Sequence, residues 1–265
     1  GITIPGYSLQ TVLGSAISGV FLGSIYALVA LGLTLIYGVL HIINFAHGAL
    51  LMLAMYAVYF LWKLLGIDPY VAMLVVVPGG FFFGYALQRF VIGKASHGKD
   101  EIILLITLGM SIVIENAALF FFSATGRSVL VPYDLDGIDL GVTYAVWPEI
   151  AALRGAFVIT LALWLFVTRT DTGKAIRAVA KERQGAQLMG INVEHIFAIT
   201  FGLGIAIVAV AASLLVPTYA VHPQTGNLFV LIAFTVVVLG GMGSFVGALV
   251  GGFLIGITEQ LGRLY

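Results

Sequence analysis

Long apolar runs separated by short polar stretches organise this chain. They cover residues 9–39, 44–66, 70–92, 102–124, 148–168, 196–217, 227–240 and 245–262. A helix needs about 20 predominantly apolar residues to cross the hydrocarbon of a bilayer. The strands of a membrane barrel would instead be ~10 residues long and alternate with period two. The runs here are continuous and rich in Leu, Ala, Val and Gly. They predict an all-α, polytopic transmembrane helical bundle, with 1–265 forming a single domain. Two runs fit one span badly, because 9–39 is longer than a span needs and 227–240 is shorter. A short, glycine-interrupted apolar segment is the usual sign of a broken or re-entrant helix lining a site.

Composition strengthens the membrane reading. The chain is 61% hydrophobic and only 9% charged, whereas soluble domains carry roughly 25% charge. A soluble fold of this size exposes too much surface to hide so many apolar side chains. The 33 glycines lie largely within the apolar runs, where they suit close helix packing in lipid. Zero formal net charge gives no pointer to nucleic acid, and without cysteine there is neither a disulfide framework nor a thiolate metal site. The chain opens on glycine, so we expect its first residues not to be the natural start. The first apolar run carries no small-residue cleavage site and is read as a span, not a cleaved signal.

Charge orients the spans. Residues 88–101 hold Arg89, Lys94 and Lys99, and residues 169–195 hold Arg169, Lys174, Arg177, Lys181 and Arg183. The loop 125–147 carries only Arg127 against Asp134, Asp136 and Asp139. The positive-inside rule places the two basic loops in the cytoplasm and the acidic loop outside. Counting back gives an external N-terminus. The orientation of the C-terminus depends on whether 227–240 crosses fully.

Small residues recur at helical spacing. Ser15, Gly19, Gly23 and Ala27 share one face, Gly243, Gly247 and Gly251 repeat the spacing, and Gly80 and Gly84 form a further pair. Such stripes let backbones approach, either as a tight bundle or as a surface that slides. The stretch Asn44-Phe45-Ala46-His47-Gly48-Ala49-Leu50 echoes Ser244-Phe245-Val246-Gly247-Ala248-Leu249, each after an apolar run and a glycine-containing turn. Repeated halves with a site at their junction are common in transporters. The echo predicts two broken-helix elements lying near one another.

Polar groups at membrane depth are expensive and therefore candidates for function. Asn44, His47 and Gly48 open one segment, and Glu115 and Asn116 lie within another. Glu259 lies near the end of the last run, and Ser244 sits in the second echoed stretch. Asn44 could cap a helix, and His47 could be a core histidine bonded to a carbonyl. Alternatively, a helix N-terminus at 44–48 presents free N–H groups and partial positive charge to a substrate carboxylate. Glu115 could then meet an ammonium group, pair with a buried partner or reach the interface. His41 and His47 are six apart and do not share a helix face, and neither a catalytic constellation nor a metal motif stands out.

The basic loop contains Gly173, Lys174, Ala175, Ile176, Arg177, Ala178 and Val179, then Ala186, Gln187, Leu188, Met189, Gly190, Ile191 and Asn192. Its apolar and charged positions alternate at helical spacing, predicting an amphipathic helix bracketed by Gly173 and Gly190. This loop resembles the coupling loop of the branched-chain amino acid ABC permease family. Residues 32–38 (Gly-Leu-Thr-Leu-Ile-Tyr-Gly), 43–48 (Ile-Asn-Phe-Ala-His-Gly), 107–109 (Thr-Leu-Gly) and 238–244 (Val-Leu-Gly-Gly-Met-Gly-Ser) are similar to it as well. The likeness covers almost the whole chain and is nearest to the first of the two permeases in such systems. It implies a multi-pass subunit in a bacterial inner membrane. The implied partners are a homologous second permease, two cytoplasmic ATPases carrying ATP and Mg, a periplasmic substrate-binding protein, and lipid. It also implies that residues 173–192 dock on an ATPase. Consistent with that division, Gly93-Lys94, Gly98-Lys99 and Gly173-Lys174 all lack the Ser or Thr of a phosphate-binding loop. Members of the family usually continue past the position of Leu261 with a further apolar stretch, whereas this chain stops at Tyr265. We therefore expect either trimming or a missing last span.

The expected function is thus a permease subunit for branched-chain or other neutral amino acids. The alternative is a passive channel or ion-coupled carrier for a small polar solute such as urea or an amide. That would call for a ring of charges or several mid-span carboxylates, where only Glu115 and Glu259 qualify.

Overall fold

A computed structural model describes residues 8–95 and 99–265. The Gly98-Lys99 pair thus lies partly outside the described residues. Among them the apolar runs become helices α1 (Leu9–Leu40), α2 (His47–Leu65), α3 (Pro69–Ala95), α4 (Asp100–Phe122) and α5 (Trp147–Arg169). The basic loop forms α6 (Asp171–Lys181) and α7 (Arg183–Leu188), followed by α8 (Val193–Leu215), α9 (Thr225–Gly240) and α10 (Phe245–Gly262). Seven of these are long and apolar enough to cross a membrane, and α9 is shorter. Among the described residues, strand is confined to the hairpin β1 (Gly137–Asp139) and β2 (Tyr144–Val146).

The helix ends follow local chemistry. Ser8 caps α1, Asp68 caps α3 with Pro69 behind it, Asn192 caps α8 and Ser244 caps α10. Each accepts a hydrogen bond from an N–H that the helix leaves free. α3 carries a π-helical turn at Leu87–Ile92 before its end. The basic loop differs from the single bracketed helix its pattern suggests. It is two helices split at Glu182. Gly173 lies within the first turn of α6, its N–H bonded to the Thr170 hydroxyl, because the turn packs on the Phe166 and Val167 carbonyls. Gly190, at φ +85°, does end the second helix region.

Burial sorts the helices. α1 and α8 are 89% buried across their apolar windows, while α3, α4, α5 and α10 are only 17–22% buried. The first pair is therefore the protein core, and the rest present leucine, valine and phenylalanine side chains to lipid. Glycine sets the contacts. Gly19 and Gly23 of α1 lie on the backbone of α10 at Gly252 and Gly256, and Gly32 touches Gly204 of α8. Gly84 lies against Gly202, and Gly80 against Ile205. Gly247 packs on Gly240 across the α9–α10 turn, and Gly251 on Val236. Gly243 is not on that helix face: it lies in the turn itself, at φ +89°. The pair that meets α1, Gly252 and Gly256, is one register along from the stripe read in the sequence.

Contacts also sort the ends. His41 reaches the Ala180 carbonyl and Arg89 pairs with Glu194, gathering the basic loops at one end. At the other end Tyr133 bonds Asp68, Arg127 pairs with Val221, and Val142 lies on Gly14. α10 starts beside Gly38 at the basic end and rises along Gly23 and Gly19, so both described termini sit at the acidic end.

Candidate functional site

At about 1.5 Å per residue α1 is ~48 Å long, well beyond the hydrocarbon thickness of about 30 Å. It delivers the chain to the basic end at Leu40. His41 turns it with a left-handed φ of 56°, and residues 42–46 then run back into the bundle without helix. The return is deep. The His47 ring lies on the Val29 carbonyl at 2.7 Å, eleven residues before Leu40 and therefore ~16 Å up α1. α2 thus begins inside the membrane. Such non-helical backbone is tolerated at this depth only where protein or a polar cavity covers it.

The break satisfies most of its own polar groups. The Asn44 carboxamide oxygen accepts from the Ala46 N–H at 3.0 Å, closing a turn before the helix starts. The Phe45 N–H donates to the Thr107 hydroxyl, which itself donates to Leu104. The Val29 carbonyl can only accept, so His47 Nε2 carries the proton and Nδ1 is left as an acceptor. Both His47 Nδ1 and Asn44 Nδ2 are buried without a partner.

A second break faces the first. After α8, residues 216–224 lead back into the bundle, and α9 starts at Thr225. The His222 N–H donates to the Thr225 hydroxyl and the Gln224 N–H to the His222 ring, fixing the turn. Gly226 then lies directly on Gly48: a Cβ on Gly48 would be 2.2 Å from the Gly226 carbonyl oxygen. Two helix N-termini, each with free N–H groups and partial positive charge, therefore meet within the membrane. α2 leaves toward the acidic end and α9 toward the basic end. Long helix, break and shorter helix thus occur twice with opposite direction, the arrangement of inverted repeats.

Glu115 of α4 accepts from the Asn227 side chain at 3.4 Å, next to this junction. Asn227 is exposed on the outer face of the bundle, as is Gln224. Asn116 also faces outward, and its amide donates to the Ile112 carbonyl of its own helix. Ser244 is at the other glycine turn, where Gly243 donates to Thr34 and lies against Gly38. The second echoed stretch thus starts beside Thr34 and Gly38, toward the basic end, and the element that meets Gly48 is Gly226 instead. Glu259 accepts from Tyr26 at 2.6 Å and from Arg263 at 2.8 Å, which ties α10 to α1. In the basic loop Ile176 and Ala186 are buried, while Leu188 and Met189 are 88% and 82% exposed. Gly190, Ile191 and Asn192 return the chain to α8.

Thr225, Gly226 and Asn227 escaped the sequence reading. The signal was present in the Pro223-Gln224-Thr225-Gly226 turn chemistry and in the shortness of the run that follows.

Broken helices that meet inside the bilayer, with polar side chains held at that depth, define a polytopic membrane permease. Residues 15–265 match the family described as branched-chain amino acid transport system / permease component. The chain is 34% identical over 261 residues to the high-affinity branched-chain amino acid transport system permease protein BraD of Pseudomonas aeruginosa, covering 93% of this chain and 84% of that one. It is also 34% identical over 268 residues to LivH of Escherichia coli, again a high-affinity branched-chain amino acid transport system permease protein, covering 94% and 85%. A probable branched-chain amino acid transport permease protein LivH of Methanocaldococcus jannaschii is 29% identical over 249 residues, covering 91% and 78%. No solved structure matches the chain. The chain belongs to the branched-chain amino acid permease family, and it is a multi-pass inner-membrane transport subunit.

Proposed function

We propose that this permease carries branched-chain amino acids inward as one half of a translocation path, with ATP hydrolysed on partner chains. The observation that carries the reading is the polar patch of Glu115, Asn227 and Gln224 beside the Gly48–Gly226 junction. A carboxylate on a lipid-facing surface would be costly, whereas the same group facing a path or a second permease is useful. A zwitterion would place its carboxylate toward the paired helix N-termini and its ammonium toward Glu115. Asn44, His47 and Gly48 shape the first of these termini, while Asn116 and Ser244 flank the path.

The basic end carries the coupling role. Leu188 and Met189 project from the α6–α7 loop as an apolar tip, a suitable plug for a groove on an ATPase. Gly173, Ala175, Arg177, Ala178 and Ala186 form the scaffold behind it, and Gly190, Ile191 and Asn192 transmit its movement to the buried helix α8. A homologous second permease, two ATPases with Mg and ATP, and a periplasmic binding protein complete the system.

The test is co-purification followed by reconstitution. The tagged permease should retain a second permease and two ATPases, and ATP-loaded vesicles supplied with the binding protein outside should accumulate labelled leucine. Leu188→Glu together with Met189→Glu should abolish uptake while the chain still inserts. Uptake by this chain in the absence of any ATPase would overturn the reading.

A further inference from the structure

At the basic end the structure contains a cavity of about 570 Å³, within the range of small-molecule sites. It lies apart from the helix junction. Leu40, Ile42, Ile103 and Phe197 supply an apolar wall, and Arg89, Lys94, Arg183, Asp100 and Glu194 supply charges of both signs. One polar group within it is unanswered. Gln88 is 6% exposed, and its Oε1 has no hydrogen-bond partner. The π-helical turn at Leu87–Ile92 brings Gln88 and Arg89 to the cavity, and such bulges often mark functional positions.

The charges are unevenly used. Arg89 is held by Glu194 at 3.2 Å. Arg183 lies over the Phe197 ring at 5.1 Å, and Lys94 over Phe90 at 5.5 Å. Among the described residues neither Arg183 nor Lys94 has a carboxylate within ion-pair distance. A simple anion would use these two cations but leave Asp100 and the Gln88 acceptor facing it. A purely apolar molecule would leave Lys94, Arg183, Asp100 and the Gln88 oxygen without a partner, at a cost. A molecule with one negative group, one ammonium group and an apolar remainder answers every wall.

We propose that this cavity binds a free apolar α-amino acid from the cytoplasm. Its carboxylate meets Lys94 and Arg183, its ammonium meets Asp100 and the Gln88 oxygen, and its side chain rests on Leu40, Ile42 and Ile103. The inference rests on the reading that the permease moves such amino acids inward. Arg183 belongs to the α6–α7 loop, whereas Lys94 and Asp100 belong to the transmembrane helices. An occupant therefore ties the loop to the bundle and resists the loop movement that transport needs, so accumulated product slows its own import.

The experiment uses the complete transporter with its ATPases and binding protein in liposomes, with ATP and the cytoplasmic face inside. Millimolar L-leucine in the lumen should slow the initial uptake of labelled leucine several-fold. Lys94→Gln and Asp100→Asn should import normally into an empty lumen yet lose that slowing. Equilibrium dialysis of tritiated L-leucine against the detergent-solubilised complex, without binding protein and carrying Glu115→Gln to weaken the path, reads the cavity directly. Each variant should bind at least ~10-fold more weakly, as expected for one lost charge-assisted bond. Unchanged uptake with a loaded lumen, or leucine binding that both variants retain, overturns the proposal. So does a response of the variants to vesicle phosphatidylglycerol content alone, which would make the cavity a lipid-headgroup site. Absence of leucine uptake into an empty lumen would refute the transport reading instead, and dialysis would still decide the cavity.

Discussion

Gly48 and Gly226 touch backbone to backbone in the middle of the bundle. A Cβ on the first would sit 2.2 Å from the carbonyl oxygen of the second, and one on the second 2.0 Å from that of the first. Neither helix start can retreat, because His47 anchors one to α1 and the Thr225 turn fixes the other. Gly48→Ala and Gly226→Ala should each lower stability by about 1–3 kcal/mol, the usual cost of overpacking. Thermal unfolding of the detergent-purified permease measures this. Leucine uptake should fall further than stability, because the substitutions part the two helix N-termini.

His47 closes the break against α1 by a single bond to the Val29 carbonyl. His47→Ala removes this second bond to a carbonyl that the helix ladder already occupies and leaves a gap in a buried site, with an expected loss of about 1–2 kcal/mol. His47→Gln keeps a donor and should recover part of it. If the two variants unfold at the same temperature, the bond contributes nothing.

The Glu115–Asn227 pair predicts a separation of transport from folding. Both groups are partly or fully open to the outer face, so Glu115→Gln should leave the unfolding temperature almost unchanged. Uptake of an amino acid should drop about tenfold or more if the carboxylate meets the substrate ammonium, since such a contact is worth more than ~1.4 kcal/mol. The uptake rate at saturating and at low binding-protein concentration reports it.

The α1–α10 seam predicts a graded series. Gly256 lies within 2.4 Å of the Gly19 carbonyl and Gly23 amide when a Cβ is added. Gly256→Val should therefore prevent close packing and destabilise more strongly than Gly262→Val, where nothing lies nearby. Protease resistance of the membrane-inserted chain compares the two.

Outside the membrane, Tyr133 donates to Asp68, whose other oxygen caps α3 through Tyr70. Burial first, and then the Asp68 carboxylate, raise the Tyr133 pKa above its ordinary 10.0. A raised value in the folded state means the stabilisation is complete below pH 10 and is lost as pH rises beyond it. Wild type should lose its advantage over Tyr133→Phe only in the alkaline range, as seen in unfolding curves measured at several pH values.

Much of this molecule was legible along the chain. The apolar runs determine the helices, since only a backbone that satisfies itself survives in lipid, and the basic and acidic loops determine which ends belong together. The shortness of 227–240 and the polarity of 44–48 marked where helices would break. Four-residue glycine spacing announced close packing, yet not its partners. Gly19 and Gly23 could face any small-residue stripe, and only the assembled bundle pairs them with Gly252 and Gly256. The meeting of Gly48 with Gly226 likewise joins positions far apart in sequence, and nothing local encodes it. It depends on α1 being long enough to reach the basic end and on residues 42–46 returning to mid-depth. Local pattern determines elements and their ends because hydrogen bonding and burial act over a few residues. Which ends meet was decided by the tertiary structure, because that requires all helices to pack at once.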